Sequence, residues 1–376
     1  MNLNRTALTF LALLALSPAA RADDPVKLSF VFMGCNRIQH GDWKSIKDDD
    51  PSSANLPQLS RTFQDVAQLN PVPPYFFFLG DLVVNLEDDD GEALKHQLNA
   101  WTPLFSQGPL AGKVTLIPLP GNHEMLMKPK GKDKDDEDEP EVPNPYTTAR
   151  WLKWLRDSGC DKFATAANGP TNAPPNPDKL GDNQSQMSYS FNIGDVHFVV
   201  LNTDTLTTEK DRNGVPYAGW VPVHWVEQDI RAAQADGRVS AIFVLGHKPI
   251  LKKPKHEEDA ILNTSGQPLG DRLQAVLAAN DKVRAYLCAH EHLWDQSPLE
   301  KSPKVWQVIA GNAGSKLNGK WTDPYFGFSV IKVYSSGKVG LVSYRRAYPG
   351  KKHYFSPTPA PEPAVPAPEI TLFNDR

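Results

Sequence analysis

Residues Tyr75 to Asp81 read YFFFLGD, five apolar residues closed by a glycine and an aspartate. A run this short, rich in aromatic residues and ended by Gly-Asp, is a strand. It lacks polar alternation, which marks a strand covered on both faces. Outward from it, similar runs recur at Lys27 to Met33 (KLSFVFM), Val114 to Pro118 (VTLIP) and Val196 to Leu201 (VHFVVL). Ala241 to Leu245 (AIFVL), Val283 to Leu287 and Val305 to Ile309 (VWQVI) follow. Helical periodicity separates them at Leu59 to Leu69, Ala149 to Asp157, Val223 to Ala235 and Leu269 to Ala279. Such alternation predicts a layered α/β domain. Gly327 to Tyr334 and Val339 to Arg345 read as a strand pair turning at Ser-Ser-Gly, and there is no internal repeat.

Polar residues fall where the apolar runs stop. YFFFL runs into Gly80-Asp81, VTLIP leads to Gly121-Asn122-His123-Glu124, AIFVL ends at Gly246-His247, and AYLCA at His290-Glu291-His292. Ligands of open α/β sheets bind outside the carboxyl ends of strands, so one carboxylate, one amide and several imidazoles are delivered to one edge. A carboxylate can bridge two hard cations and Asn offers a neutral carbonyl oxygen, while imidazole suits Zn or Fe and carboxylate suits Mn. Two such ions about 3.5–4 Å apart polarise a phosphoryl oxygen and acidify a water. Asp81 alone reads as a turn or helix-capping residue and His247 alone as a satisfied strand-end histidine. The ordered set, each member close after a strand, is what points to a metal centre.

This pattern resembles the calcineurin-like metallophosphoesterase family, over residues 27 to 345, on Gly80-Asp81, Gly121-Asn122-His123-Glu124, Gly246-His247 and Ala289-His290-Glu291-His292. The resemblance implies a four-layer α/β/β/α sandwich with two central mixed β-sheets. It implies an Asp81 that bridges two metals, with Asn122, His247 and His290 completing one site and His292 belonging to the other. It also places Asn122 and His123 at the substrate phosphate, with His123 as phosphate ligand or general acid. The implied activity is a metal-dependent phosphoric ester hydrolase. It would cleave a phosphomonoester or phosphodiester through a metal-activated hydroxide, with one or two divalent ions (Zn, Fe or Mn).

The chain departs from the family at its first strand. An Asp-x-His motif is expected there, but FVFM is followed by Gly34-Cys35-Asn36-Arg37, with Cys35 in place of the Asp and Arg37 in place of the His. A smaller departure is Ala289, where the family has glycine. Three readings follow. Cys35 ligates as a thiolate; Asn36 or His40 reaches in instead; or one ion binds, and the Arg37 guanidinium supplies fixed charge and bidentate phosphate contacts as a catalytic and substrate-binding group. A buried, inert Cys35 is an equally weighted alternative. The loss of the motif also leaves open a metal-binding pseudoenzyme or interaction protein on the same fold, against which the retained His123 counts.

Softer expectations concern neighbouring residues. Lys248 reads as a surface lysine, with phosphate contact the lesser reading; Asn202 and Asp204 read as turn residues or supports for the histidines. Gly311-Asn312-Ala313-Gly314 follows a strand and is a candidate for lining the site. Asp48 to Asp50 and Asp88 to Asp90 would repel polyanions if they reach the mouth.

The bulk numbers bound the rest. With 376 residues, 40% hydrophobic and 22% charged, the chain can bury a large core. A net charge of -4 gives no nucleic-acid footprint. Arg5, the apolar Thr6 to Ser17 and Ala20-Arg21-Ala22 read as a secretory signal over residues 1–22, too short to span a bilayer as a helix and predicting a periplasmic or secreted protein. The mature chain then has no membrane span. A metallophosphoesterase domain follows over 23–350, and then a Pro-rich tail over 351–376, expected to be extended and frayed. Lys128 to Glu141 (KPKGKDKDDEDEPE) reads as a solvated loop without chemistry. Three cysteines in an exported protein leave at least one thiol unpaired, and Cys288 reads as a core residue.

Overall fold

The chain runs β1 (Val26–Met33), α1 (Leu56–Ala67), β2 (Tyr75–Leu79), α2 (Glu92–Ser106), β3 (Thr115–Leu119), the single turn α3 (Asn122–Met125), β4 (Leu126–Met127), β5 (Val142–Pro143) and α4 (Thr147–Asp157). It continues with β6 (Tyr189–Ile193), β7 (Val196–Val200), α5 (Val223–Ala235), β8 (Ala241–Leu245), β9 (Asn263–Thr264), β10 (Gln267–Pro268), α6 (Leu269–Ala278) and β11 (Val283–Cys288). Then come β12 (Trp294–Leu299), β13 (Ser302–Ala310), β14 (Tyr325–Tyr334), β15 (Val339–Ala347), β16 (Val365–Pro366) and β17 (Ile370–Phe373). This computed structural model describes residues 24–37, 56–129, 141–164, 169–251, 260–317, 324–347 and 361–374. The signal at 1–22, His40, Asp48 to Asp50, residues 130–140 of the charge run and residues 351–360 and 375–376 of the tail lie outside the described residues.

Two mixed sheets form the centre, one ordered β16-β15-β14-β1-β2-β3 and the other β12-β13-β11-β8-β7-β6. In the first, β1, β2 and β3 are parallel while β14 and β15 are antiparallel. In the second, β7, β8, β11 and β13 are parallel, flanked by antiparallel β6 and β12.

The three phenylalanines of YFFFL show why the strands carry no polar alternation. Successive side chains of a strand point to opposite faces. Phe77 turns inward and stacks on Phe198 of the other sheet at 5.1 Å, and Phe30 meets Phe198 and Phe243 at 5.3 Å each. Phe76 turns outward to Phe63 of α1 at 6.0 Å, and Phe78 to Trp101 of α2 at 5.6 Å. Behind the second sheet, Val199, Ile242 and Val244 pack with Val226 and Ile230 of α5 and Leu273 and Leu277 of α6. Helix, sheet, sheet and helix thus stack as expected. Each fully buried aromatic stabilises the stack by roughly 1.5–3 kcal/mol.

Three departures from expectation have local causes. α2 is a full helix although Gly91 and Pro103 flank or enter it; the Asp89 carboxylate accepts the Gly91 and Ala93 N–H groups at 2.8 and 3.1 Å, satisfying donors at its start. Asp89 therefore serves this helix. The polar WDQSPL segment becomes β12 by pairing antiparallel with β13. The described part of the tail is not frayed. β16 and β17 pair with β15, Trp306 Nε1 donates to the Leu372 carbonyl at 2.9 Å, and the Arg284 guanidinium lies 3.5 Å from the Phe373 ring centre. Proline is tolerated there because an edge strand needs only one side of its backbone for pairing. Cys35, Cys160 and Cys288 are all free thiols, and Cys288 is buried. Among the described residues no helix is long and apolar enough to cross a membrane.

Candidate metal centre

Because β1, β2, β3, β8 and β11 run parallel within their sheets, their carboxyl ends deliver residues to one edge, between the two sheets. Cys35 follows β1, Asp81 follows β2, Asn122 opens α3 just after β3, His247 follows β8, and His290 follows β11. The two sheets are joined here: His247 Nδ1 donates to the Leu79 carbonyl at 2.6 Å, and the His290 N–H donates to Cys35 Sγ at 3.1 Å. Four of the chemistry-bearing residues hold left-handed backbone: Cys35 (φ 63°), Arg37 (φ 58°), Asp81 (φ 57°) and His290 (φ 64°). Such conformations cost of order 1–3 kcal/mol each and persist where the surroundings over-determine them, as at functional sites.

Two glycines make room. A Cβ on Gly80, whose φ is +85°, would lie 2.6 Å from the Gly121 nitrogen and from His247 Nδ1. A Cβ on Gly121 would collide with Asp81 Oδ1 and lie 2.8 Å from His247 Cε1.

The donor atoms of Asp81, Asn122, His247 and His290 converge. His247 Nε2 is 3.0 Å from Asn122 Oδ1, 3.2 Å from Asp81 Oδ1 and 3.1 Å from His290 Nδ1, which is itself 3.1 Å from Asn122 Oδ1. Since the His247 Nδ1–H is spent on Leu79, Nε2 presents a lone pair in the neutral ring. Asn122 Nδ2 donates to Glu141 Oε2 at 2.8 Å, which turns the amide oxygen inward. Carboxylate, amide oxygen and two imidazoles so crowded are mutually repulsive unless a cation or proton sits among them. The donor set fits a divalent ion, with Asp81, His247 and His290 offering atoms all within 4.8 Å of one another.

A second group shares Asp81. Cys35, Asp81 and His292 also offer atoms within 4.8 Å of one another. Their electrostatics differ. Burial, and then the Asp81 charge, push the Cys35 thiol well above its ordinary range. Burial and the Arg37 guanidinium hold His292 well below its own, and its buried Nε2 has no hydrogen-bond partner among the described residues. Burial opposes ionisation of Asp81, but His247, His123 and Arg37 outweigh it and keep the carboxyl well below the usual range. Burial likewise opposes protonation of His247, and the Asp81 carboxylate overcomes it, so His247 is raised.

His123 is buried, with Nδ1 2.8 Å from the Val84 carbonyl. Burial and Arg37 push it down to about 3. In the ion-free protein it is therefore neutral and lacks the proton a general acid needs at neutral pH.

Two residues were missed as supports. Glu124 is buried and its carboxylate accepts the Gly121, Asp81 and Val83 N–H groups at 2.7, 2.9 and 3.1 Å, fixing the Asp81 turn to the Asn122 turn. Burial and Asp81 push it up to about 7. Its position three residues after Gly121 is capping-box spacing, the signal that pointed to it. Glu141 orients Asn122 from the end of the charge run, so that end of the segment does touch the site.

Lys248 is not a surface residue: it is 4% exposed and its Nζ pairs with Asp204 at 2.8 Å. Asn202 and Asp204 brace this loop, Asn202 Oδ1 accepting the Asp204 N–H at 3.0 Å and Asp204 Oδ1 the Gly219 N–H at 2.9 Å. Neither orients His247, which is held by Leu79. The Gly311 to Gly314 segment backs the β1 loop, with Ala313 N donating to the Gly34 carbonyl at 3.2 Å.

A carboxylate shared between two histidine-bearing groups, at the carboxyl edge between two mixed sheets, is an arrangement suited to holding divalent cations. The sequence model of the calcineurin-like phosphoesterases matches residues 38–293, and the chain belongs to that family. The match begins just after Arg37. Sequence comparison with curated proteins returns no match. Among solved structures, the chain is similar to purple acid phosphatase PPD1 from yellow lupin (Lupinus luteus) seeds, with 16% identity, a TM-score of 0.55, and 86% of this chain and 52% of the lupin chain covered. The chain thus spans about half the length of that protein. A dimetal phosphatase from Danio rerio shares 11% identity at a TM-score of 0.54, with 93% of this chain and all 100% of that one covered. PhoD shares 12% identity at 0.51, with 93% and 69% covered. At these identities the likeness is one of fold.

Proposed function

We propose that the chain hydrolyses phosphoric mono- or diesters at the position formed by Asp81, Asn122, His247 and His290. The observation that carries this reading is the inward convergence of their donor atoms from both sheets. A divalent ion bound there supplies Lewis acidity to a phosphoryl oxygen and lowers the pKa of a water. The chain's own residues do the rest. Arg37, whose side chain keeps 21% of its surface accessible beside the wholly buried Asp81, binds and orients phosphoryl oxygens. His123 enters neutral, with Nδ1 fixed on Val84. Burial, more than Arg37, keeps it so, and an anionic ester beside Arg37 would favour its protonation for stabilising the leaving oxygen. Glu124 and Glu141 hold Asp81 and Asn122 in place.

Retention of His123 beside the ion position favours an enzyme over a metal-binding scaffold. EDTA should abolish hydrolysis of p-nitrophenyl phosphate or bis-p-nitrophenyl phosphate, and Zn²⁺ or Mn²⁺ should restore it; an unchanged rate would sink the reading. The preferred ester then separates mono- from diesterase action. The apolar Thr6 to Ser17 segment and Ala20-Arg21-Ala22 support export, tested by finding Asp23 at the N-terminus of the mature protein.

A further inference from the structure

We propose that the Arg37 guanidinium occupies the second cation position of the centre, so that one metal ion binds per chain. This rests on the reading of Asp81, Asn122, His247 and His290 as the ion-holding set.

The backbone places Arg37 with care. The Asn36 and Arg37 N–H groups both donate to the Asp81 carbonyl, at 2.9 and 2.8 Å, and Cys35 N donates to the Gly80 carbonyl at 3.0 Å. The β1 loop is therefore bolted to the Asp81 turn, with Cys35 and Arg37 both left-handed. From there the Arg37 side chain returns to the carboxylate of the same aspartate, its Nε 3.5 Å from Oδ2.

The two carboxylate oxygens of Asp81 consequently face different partners. Oδ1 looks toward His247 Nε2 at 3.2 Å and the His123 N–H at 3.4 Å. Oδ2 makes no hydrogen bond among the described residues, and the Arg37 guanidinium pairs with it. A second ion drawing on Cys35, Asp81 and His292 would share that carboxylate, and would lie against a permanent positive charge that cannot act as a ligand. Cys35 Sγ already accepts the His290 N–H. His292 Nε2 has no hydrogen-bond partner among the described residues. Asp81 is thereby balanced by one fixed cation on one side and has one exchangeable cation on the other.

The position is reachable. The Arg37 side chain is part-exposed while Asp81 is sealed, so the guanidinium's remaining N–H groups can meet a phosphate ester. It would offer the planar two-point contact that a metal ion lacks.

The test is a count of ions. The full chain and its Arg37→Ala, Arg37→His and Cys35→Ser variants are equilibrated with excess Zn²⁺, desalted, and measured by elemental analysis and calorimetric titration. Circular dichroism checks each fold. The expected result is one ion in the wild type and in Cys35→Ser, and two in Arg37→His and, with weaker second binding, in Arg37→Ala. Anomalous scattering should place the wild-type ion among Asp81, Asn122, His247 and His290. Two ions in the wild type, or a single ion located at Cys35 and His292, would overturn the proposal while leaving a metal enzyme. A single ion in both well-folded Arg37 variants would also overturn it, because the guanidinium would not be what excludes the second. No ion in the wild type would overturn both this and the proposed function.

Discussion

The two flanks of Asp81 are built on the same backbone plan and carry opposite chemistry. On one flank, Asn122, His247 and His290 turn lone pairs inward, each with its other polar atoms held or backbone-anchored by neighbours. On the other, Cys35, Arg37 and His292 present a thiol engaged by an N–H, a cation and one uncommitted nitrogen. Left-handed turns occur on both sides, at His290 and at Cys35 and Arg37. The scaffold that would serve two ions persists, while one ion's ligands have been replaced. Backbone geometry alone does not define a metal site; the inventory of lone pairs does.

The comparison breaks most visibly on the histidines. His247→Ala should remove the ion and lower kcat/KM about 10³-fold or more, roughly 4 kcal/mol of transition-state stabilisation. His292→Ala should cost about tenfold or less and leave the ion count unchanged. Steady-state kinetics with elemental analysis checks both, and equal losses would mean that the flanks are equivalent.

Next in size is Glu124→Ala. It strands three buried backbone N–H groups across the shared turn, so unfolding free energy should fall by about 3 kcal/mol. Urea denaturation of the metal-free protein reads this directly, and both flanks should loosen together.

Acid should act on the ion-binding flank through His247. The raised pKa of His247 means that the ion-free folded protein binds this proton more tightly than the unfolded chain does. The stability so contributed is present below the ordinary imidazole range and is lost as pH rises through the folded value. An ion competes for the same nitrogen, so its affinity should drop about tenfold per pH unit below that value. Calorimetric titration with Zn²⁺ across pH measures the slope.

The smallest effect is expected from Glu141→Gln. It weakens the contact that orients Asn122 and should reduce ion affinity by about 10-fold, a typical cost for a residue supporting a ligand. Titration again decides, and Arg37-dependent phosphate binding should be untouched.

Much of this was readable from residues alone. Strands apolar throughout, such as YFFFL and AIFVL, imply two covered faces, and each of the principal ligands follows such a run closely. What escaped depends on contacts made at long range. Lys248 looks like any surface lysine until Asp204, 44 positions away, is brought beside it. Glu141 closes a charge run whose composition says solvent, yet its carboxylate reaches Asn122. α2 was obscured by Pro103, a residue that ordinarily interrupts helices. Whether Cys35 was core or ligand was undecidable from type, and the structure shows it buried and in contact with His290 at once.

The C-terminal strands carry a consequence for the centre as a whole. β17 lies beside Val339 to Leu341, the end of the sandwich away from the ligands, and touches β11 and β13 of the opposite sheet. Asp81 and Asn122 ride on one sheet, His247 and His290 on the other, so the coordination cage is a gap between two plates. A clasp at the far end limits how far those plates can splay. The tail, remote from every ligand, thus ties together the two plates that carry them.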